Sequence, residues 1–331
     1  MAHNLTERDN MFTTRTPAWH GLGEVLEAHP TREQAQKIAH PWEPITAPIF
    51  TERPTVTEDG DLTTVMEEIE SHRTVVRSDN SEVIGVVSNT YTPVKNSEMY
   101  DIAEAIEGES RGDVMYETGG SLKGGSKVWL LIRLRDPLII GGDNETATIP
   151  YYALQNSHDG SGSFRGQATM TRIVCDNTAQ VADLDARARG TEFVFRHTRN
   201  VKDRIEEAQA ALAGWRESIE TYRLLAEHLA AEPISRADAR RFVEAFIPEP
   251  LESLVTDRVR NNIERSRETW MGFFNDQTTE RVKDTRWGLV QASVEYLNHG
   301  RRANSQESLF KRSYLDRSEL TSSAMRIAQE V

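Results

Sequence analysis

A single cysteine, Cys175, stands in 331 residues. That count excludes an internal disulfide and any cysteine-rich zinc site, and it suits a reducing cytoplasm. Long apolar runs are missing as well. No stretch approaches the roughly 18 consecutive apolar residues of a membrane span, so no membrane partner is expected. The opening segment, MAHNLTERDNMF, lacks the apolar core of a signal peptide, and export is not expected. Positive charge is in short supply: the net charge is −13, which taken alone argues against nucleic acid. The deficit is uneven. Residues 1–150 carry 13 Lys+Arg against 25 Asp+Glu, net −12, and residues 151–331 carry the other 26 against 27, net −1. A groove answers to local charge, so basic faces remain available downstream. The acidic half could instead mimic nucleic acid or dock a basic host factor.

What is present reads as an α+β protein: an antiparallel sheet with short helices, then a helical C-terminal region with one long amphipathic helix. Residues 1–60 carry TRTPAWHGLG, HPWEPITAP and TERPT, and Pro and Gly punctuate too often for long elements. They are expected to form an irregular arm with one helix near Thr31–His40, packing Trp19 and Trp42 on a neighbouring domain. Residues 61–195 are expected to form the antiparallel core. RTVVRSD and EVIGVVS flank a hairpin turn, and NSEMYDIAEAIEG reads as a helix capped at Asn96 or Ser97 and stopped at Gly108. Two strands joined by GGSLKGGS follow, then TATIPYYALQ.

Residues 196–300 change to helical periodicity. Val201, Ile205, Ala208, Leu212, Trp215, Ile219, Tyr222 and Leu229 recur at alternating spacings of four and three, the mark of a long amphipathic helix. That stripe fits either burial on a sheet or self-association of the 201–229 helix into a homo-oligomer. Ser235 and Asp238 form a capping pattern ahead of a further helix. Residues 301–331 read as a polar tail, with basic pairs at Arg301-Arg302 and Lys311-Arg312.

Chemistry-bearing residues concentrate in NSHDGSGSFRGQATMTRIVCDNT, residues 156–178. A His-Asp dipeptide can give two ligands to one ion, but His158 and Asp159 lack the further helical ligands such a site needs. The pair reads better as a turn in which Asn156, Ser157 and Asp159 bond their own backbone, and no metal or other cofactor is assigned. Cys175 would end a strand, and DNTAQVAD would start a helix whose positive end lowers the thiol pKa. A metal- or cysteine-dependent enzyme centred on His158, Asp159 and Cys175 is therefore one alternative. Strand alternation points elsewhere. Lys127, Trp129, Leu131, Arg133 and Arg135 share one side of SKVWLLIRLR, opposite Val128, Leu130, Ile132 and Leu134. Arg165, Gln167, Thr169 and Thr171 share the polar side of the strand that follows the turn. Cations, an indole and hydrogen-bond donors on one sheet face suit single-stranded DNA, with arginines on phosphates and Trp129 stacking a base. Arg172 breaks the apolar side and must find a carboxylate, a carbonyl or a bound anion.

Several segments carry a resemblance. RTPAWHGLG, VVRSDNSEVIGVVSNTYTPVKNSE, GGSLKGGSKVWLLIRL, NSHDGSGSFR, TRIVCDNT and TRWGLVQASVEYLNHG resemble a phage/plasmid-like protein family with a domain of unknown function. The likeness runs from about Arg15 to Gly300. Asp176 stands where that family usually has Gln, and Ala179 where it usually has Leu. The resemblance implies a gene carried by phages and plasmids and names no reaction. A short helix, antiparallel strands and a following helix are also similar in outline to the core of single-strand annealing recombinases. The leading expectation is a cytoplasmic, mobile-element protein of DNA metabolism that binds single-stranded DNA, with annealing as an optional further step.

Overall fold

Val128, Leu130 and Ile132 point to one side of their strand and Trp129 and Leu131 to the other, and both sides are buried. The computed structural model describes residues 8–14, 23–110, 114–142, 147–174, 177–182, 192–197, 201–250, 256–276, 279–300 and 319–331. Its large sheet is built on β6 (Val114–Leu122), β7 (Lys127–Leu134), β8 (Thr148–Ser157) and β9 (Phe164–Val174), each antiparallel to the next. The short β1 (Met11–Thr13) pairs antiparallel with β6, and β2 (Glu24–Val25) extends that edge in parallel. At the far edge β9 carries both β10 (Asn177–Ala182) and β11 (Glu192–Phe195). Helices α1 (Arg32–Ala39) and α2 (Asn96–Ser110) pack near β6.

The expected α+β class is what forms, with three local differences. First, residues 44–56 are not irregular. They form β3 (Pro44–Val56), which pairs with β4 (Leu62–Arg77), itself paired with β5 (Val83–Ser88) in a separate three-stranded sheet. Pro44, Pro48 and Pro54 are accommodated because β3 is an edge strand, where a missing N–H costs no ladder bond. Second, NTAQVA is a strand and not a helix start, since Asn177 pairs with Val174 and Ala182 with Thr169. Cys175 and Asp176 lie outside the described residues, and no helix end follows to depress a thiol pKa there. Third, the C-terminal stretch is not only a polar tail. Helix α7 (Glu319–Glu330) buries Ala324, Met325 and Ala328.

The long helix α3 (Val201–Ala231) forms over the expected span, about 46 Å at 1.5 Å per residue. Its stripe is used within its own chain. Trp215 meets the Tyr152 ring edge-on at 5.4 Å, Tyr222 meets Trp287 at 6.0 Å, and Ala208, Ile219 and Leu229 are buried in the same core. These five side chains are thereby occupied inside their own chain. Helices α4 (Arg236–Phe246), α5 (Asp257–Phe274) and α6 (Arg286–Glu295) complete the C-terminal layer, with α6 running on into a π-helical turn at Tyr296–Gly300. Ser235 and Asp238 make the reciprocal capping box expected ahead of α4. Among the described residues no helix is long and apolar enough to cross a membrane.

The start of α2 is held from outside the helix. The Glu43 carboxylate accepts from the Asn96 and Ser97 amides at 2.6 and 3.0 Å, and Glu98 accepts from the Lys95 amide at 2.7 Å. Asn96 is thus not capping its own helix, and the backbone stays helical past Gly108 to Ser110. Replacing Glu43 with Ala strips two N-terminal amides of an anionic partner. The expected cost is about 1–2 kcal/mol, read as a lowered urea midpoint; an unchanged midpoint would dismiss the cap.

Candidate functional site

The NSHDGS motif sits at the β8–β9 connection and is the hub of a hydrogen-bonded network. Asp159 Oδ1 accepts from Ser157 Oγ, the Ser161 amide and Ser161 Oγ at 2.6, 2.9 and 2.6 Å. Burial pushes this carboxyl up. The Ser157 and Ser161 bonds outweigh it, Lys127 adds to them, and the group is held below its usual value. Gly160 takes a φ of +75°, a left-handed turn position that suits glycine. Asn156 donates to the Val94 carbonyl, and Tyr91 Oη donates to the Ser157 carbonyl. The His158 amide reaches the Ser126 carbonyl at 2.8 Å.

His158 and Asp159, adjacent in sequence, serve different surroundings. The His158 ring is fully buried, 3.0 Å from Asn96 Oδ1 through Nε2 and edge-on to Trp42 at 5.7 Å. Asn96 Nδ2 in turn donates to the Trp42 carbonyl. Burial, with His197 and His40 nearby, pushes the His158 pKa down to about 3, against a small upward pull from Asp159. The ring is therefore neutral at physiological pH, and Nε2–H is the donor to Asn96. His40 is also buried, between Tyr100 Oη at 2.8 Å and the Gly120 carbonyl at 2.9 Å. His197 stacks on Tyr91 at 4.6 Å and accepts from the Val94 amide. Sequence reading names Asn96 only as a helix cap and Trp42 only as a packing residue of the arm, and it misses His40, His197 and Glu43, because nothing local marks partners that lie more than 50 residues apart. Among the described residues no group of three His, Cys, Asp or Glu side chains could hold a metal ion.

The polar sheet face divides into a buried middle and two different ends. In the middle, Trp129, Leu131, Tyr151 and Ala153 join Met11, Leu122 and Ile149 in a second apolar cluster, and Gln167 is buried beside them in the ladder. Trp129 is only 2% exposed, its ring lying over the gap left by its cross-strand neighbour Gly120. The expectation that it offers a stacking platform fails on that burial. At one end Arg133 is already committed. It donates to the Leu134 and Arg135 carbonyls at 3.0 and 3.1 Å and lies 3.9 Å from the buried Glu117 carboxylate, which also accepts from Tyr151 Oη. Arg133 balances a buried carboxylate and is not presented to a ligand. Arg135, next to it, is exposed and engaged in interactions of its own. The Arg172 side chain lies outside the described residues.

At the other end, about six residues or roughly 20 Å along β7, Lys127 and Arg165 line a cleft of about 160 Å³ with Trp129, Gln155, Ser157 and Ser163. Register explains the convergence. Lys127 lies opposite Ser157, and Trp129, Gln155 and Arg165 form one row across β7, β8 and β9. Both cations are half-buried, and among the described residues neither has a carboxylate within ion-pair distance. The Asp159 carboxylate acts on Lys127 through space, short of an ion pair. Its volume falls below the roughly 300–1,000 Å³ of sites that engulf a whole small ligand. A space of that size holds one small chemical group.

A family model described as a domain of unknown function (DUF932) matches residues 83–318. That stretch contains the cleft, the NSHDGS turn, α2 and most of the helical layer, and it excludes β3 and β4. No curated protein and no solved structure matches the chain.

Proposed function

Because this chain belongs to the DUF932 family, and the matched stretch contains the whole cleft, we propose that its activity resides there: binding of single-stranded DNA by clamping a backbone phosphate between Lys127 and Arg165. The observation that carries the reading is the meeting of these two half-buried cations, neither of them in an ion pair among the described residues, on one small cleft. Gln155, Ser157 and Ser163 supply neutral hydrogen-bonding groups around it, in keeping with the mix of partners that phosphates attract. Trp129, being buried, supports the floor and does not stack bases. The resemblance of the turn and strand motifs to a phage- and plasmid-borne family favours a role in the DNA metabolism of a mobile element. Annealing of complementary strands would follow if two bound strands were brought together. No bond-making step is assigned to the cleft.

The test is anisotropy of a labelled single-stranded oligonucleotide at two salt concentrations. Hydrogen bonds to charged groups contribute about 1.5–3 kcal/mol each. Lys127→Ala and Arg165→Ala are each expected to weaken binding by roughly 10- to 100-fold. Each is also expected to lower the salt slope by about 0.7 for every phosphate it no longer neutralises. Arg133→Ala, whose partner is Glu117, is expected to leave affinity unchanged. Wild-type protein that ignores the oligonucleotide, or cleft variants that bind like wild type, would end this reading.

A further inference from the structure

Two of the buried histidines each keep one ring nitrogen unmatched. Among the described residues His158 Nδ1 and His197 Nε2 are enclosed and have no hydrogen-bond partner. His158 is fully buried and His197 is 6% exposed. Buried polar atoms of a folded protein are almost always matched, and an exception calls for a physical reason.

The groups on the other side of each ring decide which nitrogen carries the hydrogen. The Trp42 carbonyl can only accept, so its bond from Asn96 Nδ2 at 2.8 Å fixes the orientation of that amide. Asn96 Oδ1 then faces His158 Nε2 at 3.0 Å and accepts from it. The hydrogen is on Nε2, and His158 Nδ1 is left with a lone pair. At His197 the neighbour is a donor: the Val94 amide meets Nδ1 at 3.3 Å. Nδ1 must accept, so the hydrogen of His197 sits on Nε2. His158 thus offers an unfilled acceptor and His197 an unfilled donor.

Both rings belong to one small region. Val94 donates its N–H to His197, and its carbonyl accepts from Asn156, two residues before His158. Tyr91 stacks on His197 at 4.6 Å and donates to the Ser157 carbonyl. Charge on His197 acts on His158 through space. Trp42, edge-on to His158 at 5.7 Å, adds a further buried donor without a partner, its Nε1–H.

This pattern of hydrogens selects the occupant. A metal ion needs a lone pair from each ring, and His197 presents a hydrogen instead. Moving that hydrogen to Nδ1 would set it against the Val94 N–H. An anion would meet the His158 lone pair, and a cation would meet the His197 hydrogen. A neutral group that accepts and donates at once satisfies both, and full enclosure limits it to the size of water. We propose that His158 Nδ1 and His197 Nε2 bind one enclosed water molecule, which accepts from His197 and donates to His158. Buried waters make about three such bonds, and the Trp42 N–H suits the second lone pair. The water ties the NSHDGS turn and the start of α2 to the segment that follows β11. His197 is then a positioning residue for the turn, whatever the cleft binds.

A crystal structure of the full chain, with long-range nitrogen–proton spectra of histidine-labelled protein at neutral pH, tests the site. The spectra are expected to show both rings neutral with the hydrogen on Nε2. The density is expected to show one peak about 2.7–3.2 Å from both His158 Nδ1 and His197 Nε2. His197→Phe keeps an aromatic ring against Tyr91 and removes the donor, so the peak is expected to vanish while unfolding stays cooperative. Either ring found with its hydrogen on Nδ1 overturns the proposal. So does a direct bond between the rings, a separate peak on each, anomalous scattering from a metal, or a peak unchanged in His197→Phe. Should that variant fail to fold, the wild-type density and the two tautomers decide the matter alone.

Discussion

Between pH 6.5 and about 4 the protein is expected to lose most of its stability, and three buried histidines are the cause. Burial pushes His40 and His197 down to about 4, partly offset by backbone hydrogen bonds at Gly120 and Thr92. His158 goes further, to about 3, because burial is joined by its two histidine neighbours. Unfolded, each titrates near 6.5. The sign follows from proton counting. Between the folded and unfolded values the unfolded chain binds more protons, so stability rises with pH across that window and falls on acidification. Each histidine contributes at most about 1.4 kcal/mol per pH unit, and three acting together about 4. Over two units that rivals the typical 5–15 kcal/mol of a folded domain. The carboxyls of Asp159 and Asp79 are held below their usual range by hydrogen bonds and by Arg77, so their contribution persists above about 4 and is lost only below it. Melting temperature measured from pH 7.5 to 5 is expected to fall steeply below 6.5, and His158→Gln is expected to flatten the fall. A melting temperature constant from pH 7 to 5 would show that these rings are hydrated and free to charge.

Local pattern made part of this legible. The alternation of Val128–Leu134 gave the strand and its two faces, and the four-three spacing of Ala208, Trp215, Ile219, Tyr222 and Leu229 gave α3 and its buried stripe. Alternation also nominated Lys127 and Arg165, which meet on one cleft. It could not separate them from Arg133, because Glu117 reaches Arg133 only through strand pairing across the β6–β7 bulge between Tyr116 and Thr118. Trp129 was misjudged because its cover comes from Met11 and Leu122, on elements that periodicity within β7 cannot see. Prolines hid β3, since a residue that forbids a central strand is tolerated on an edge. The apolar side of the β3–β4 pair was legible only after register was known, when Phe50 and Met66 proved to share a face.

Glycine at position 85 is expected to be close to irreplaceable, and the NSHDGS turn is the reason. A Cβ at Gly85 would lie 2.5 Å from Asp159 Cα and 2.7 Å from the His158 carbonyl oxygen. Both are backbone atoms, so no side chain can swing aside. Relief would have to come from moving β5 away from the turn, and both are tied down: Ser126 Oγ donates to the Ile84 carbonyl, while the Ser126 carbonyl holds the His158 amide. Moving the turn also disturbs the His158–Asn96 bond and Lys127 opposite Ser157, which links the substitution to the cleft. Overpacking against side chains costs about 1–3 kcal/mol, and a backbone clash belongs at or above the top of that range. Gly272→Ala supplies the control, because nothing lies within 4 Å of its new Cβ on α5. There a gain of about 0.4–1 kcal/mol is expected from the stiffer unfolded chain. Denaturant unfolding of the two variants should move the midpoint in opposite directions, with Gly85→Ala also weakening any ligand of the Lys127–Arg165 cleft. If Gly85→Ala unfolds at the wild-type midpoint, β5 and the turn are not in contact as described, and the buried place assigned to His158 goes with them.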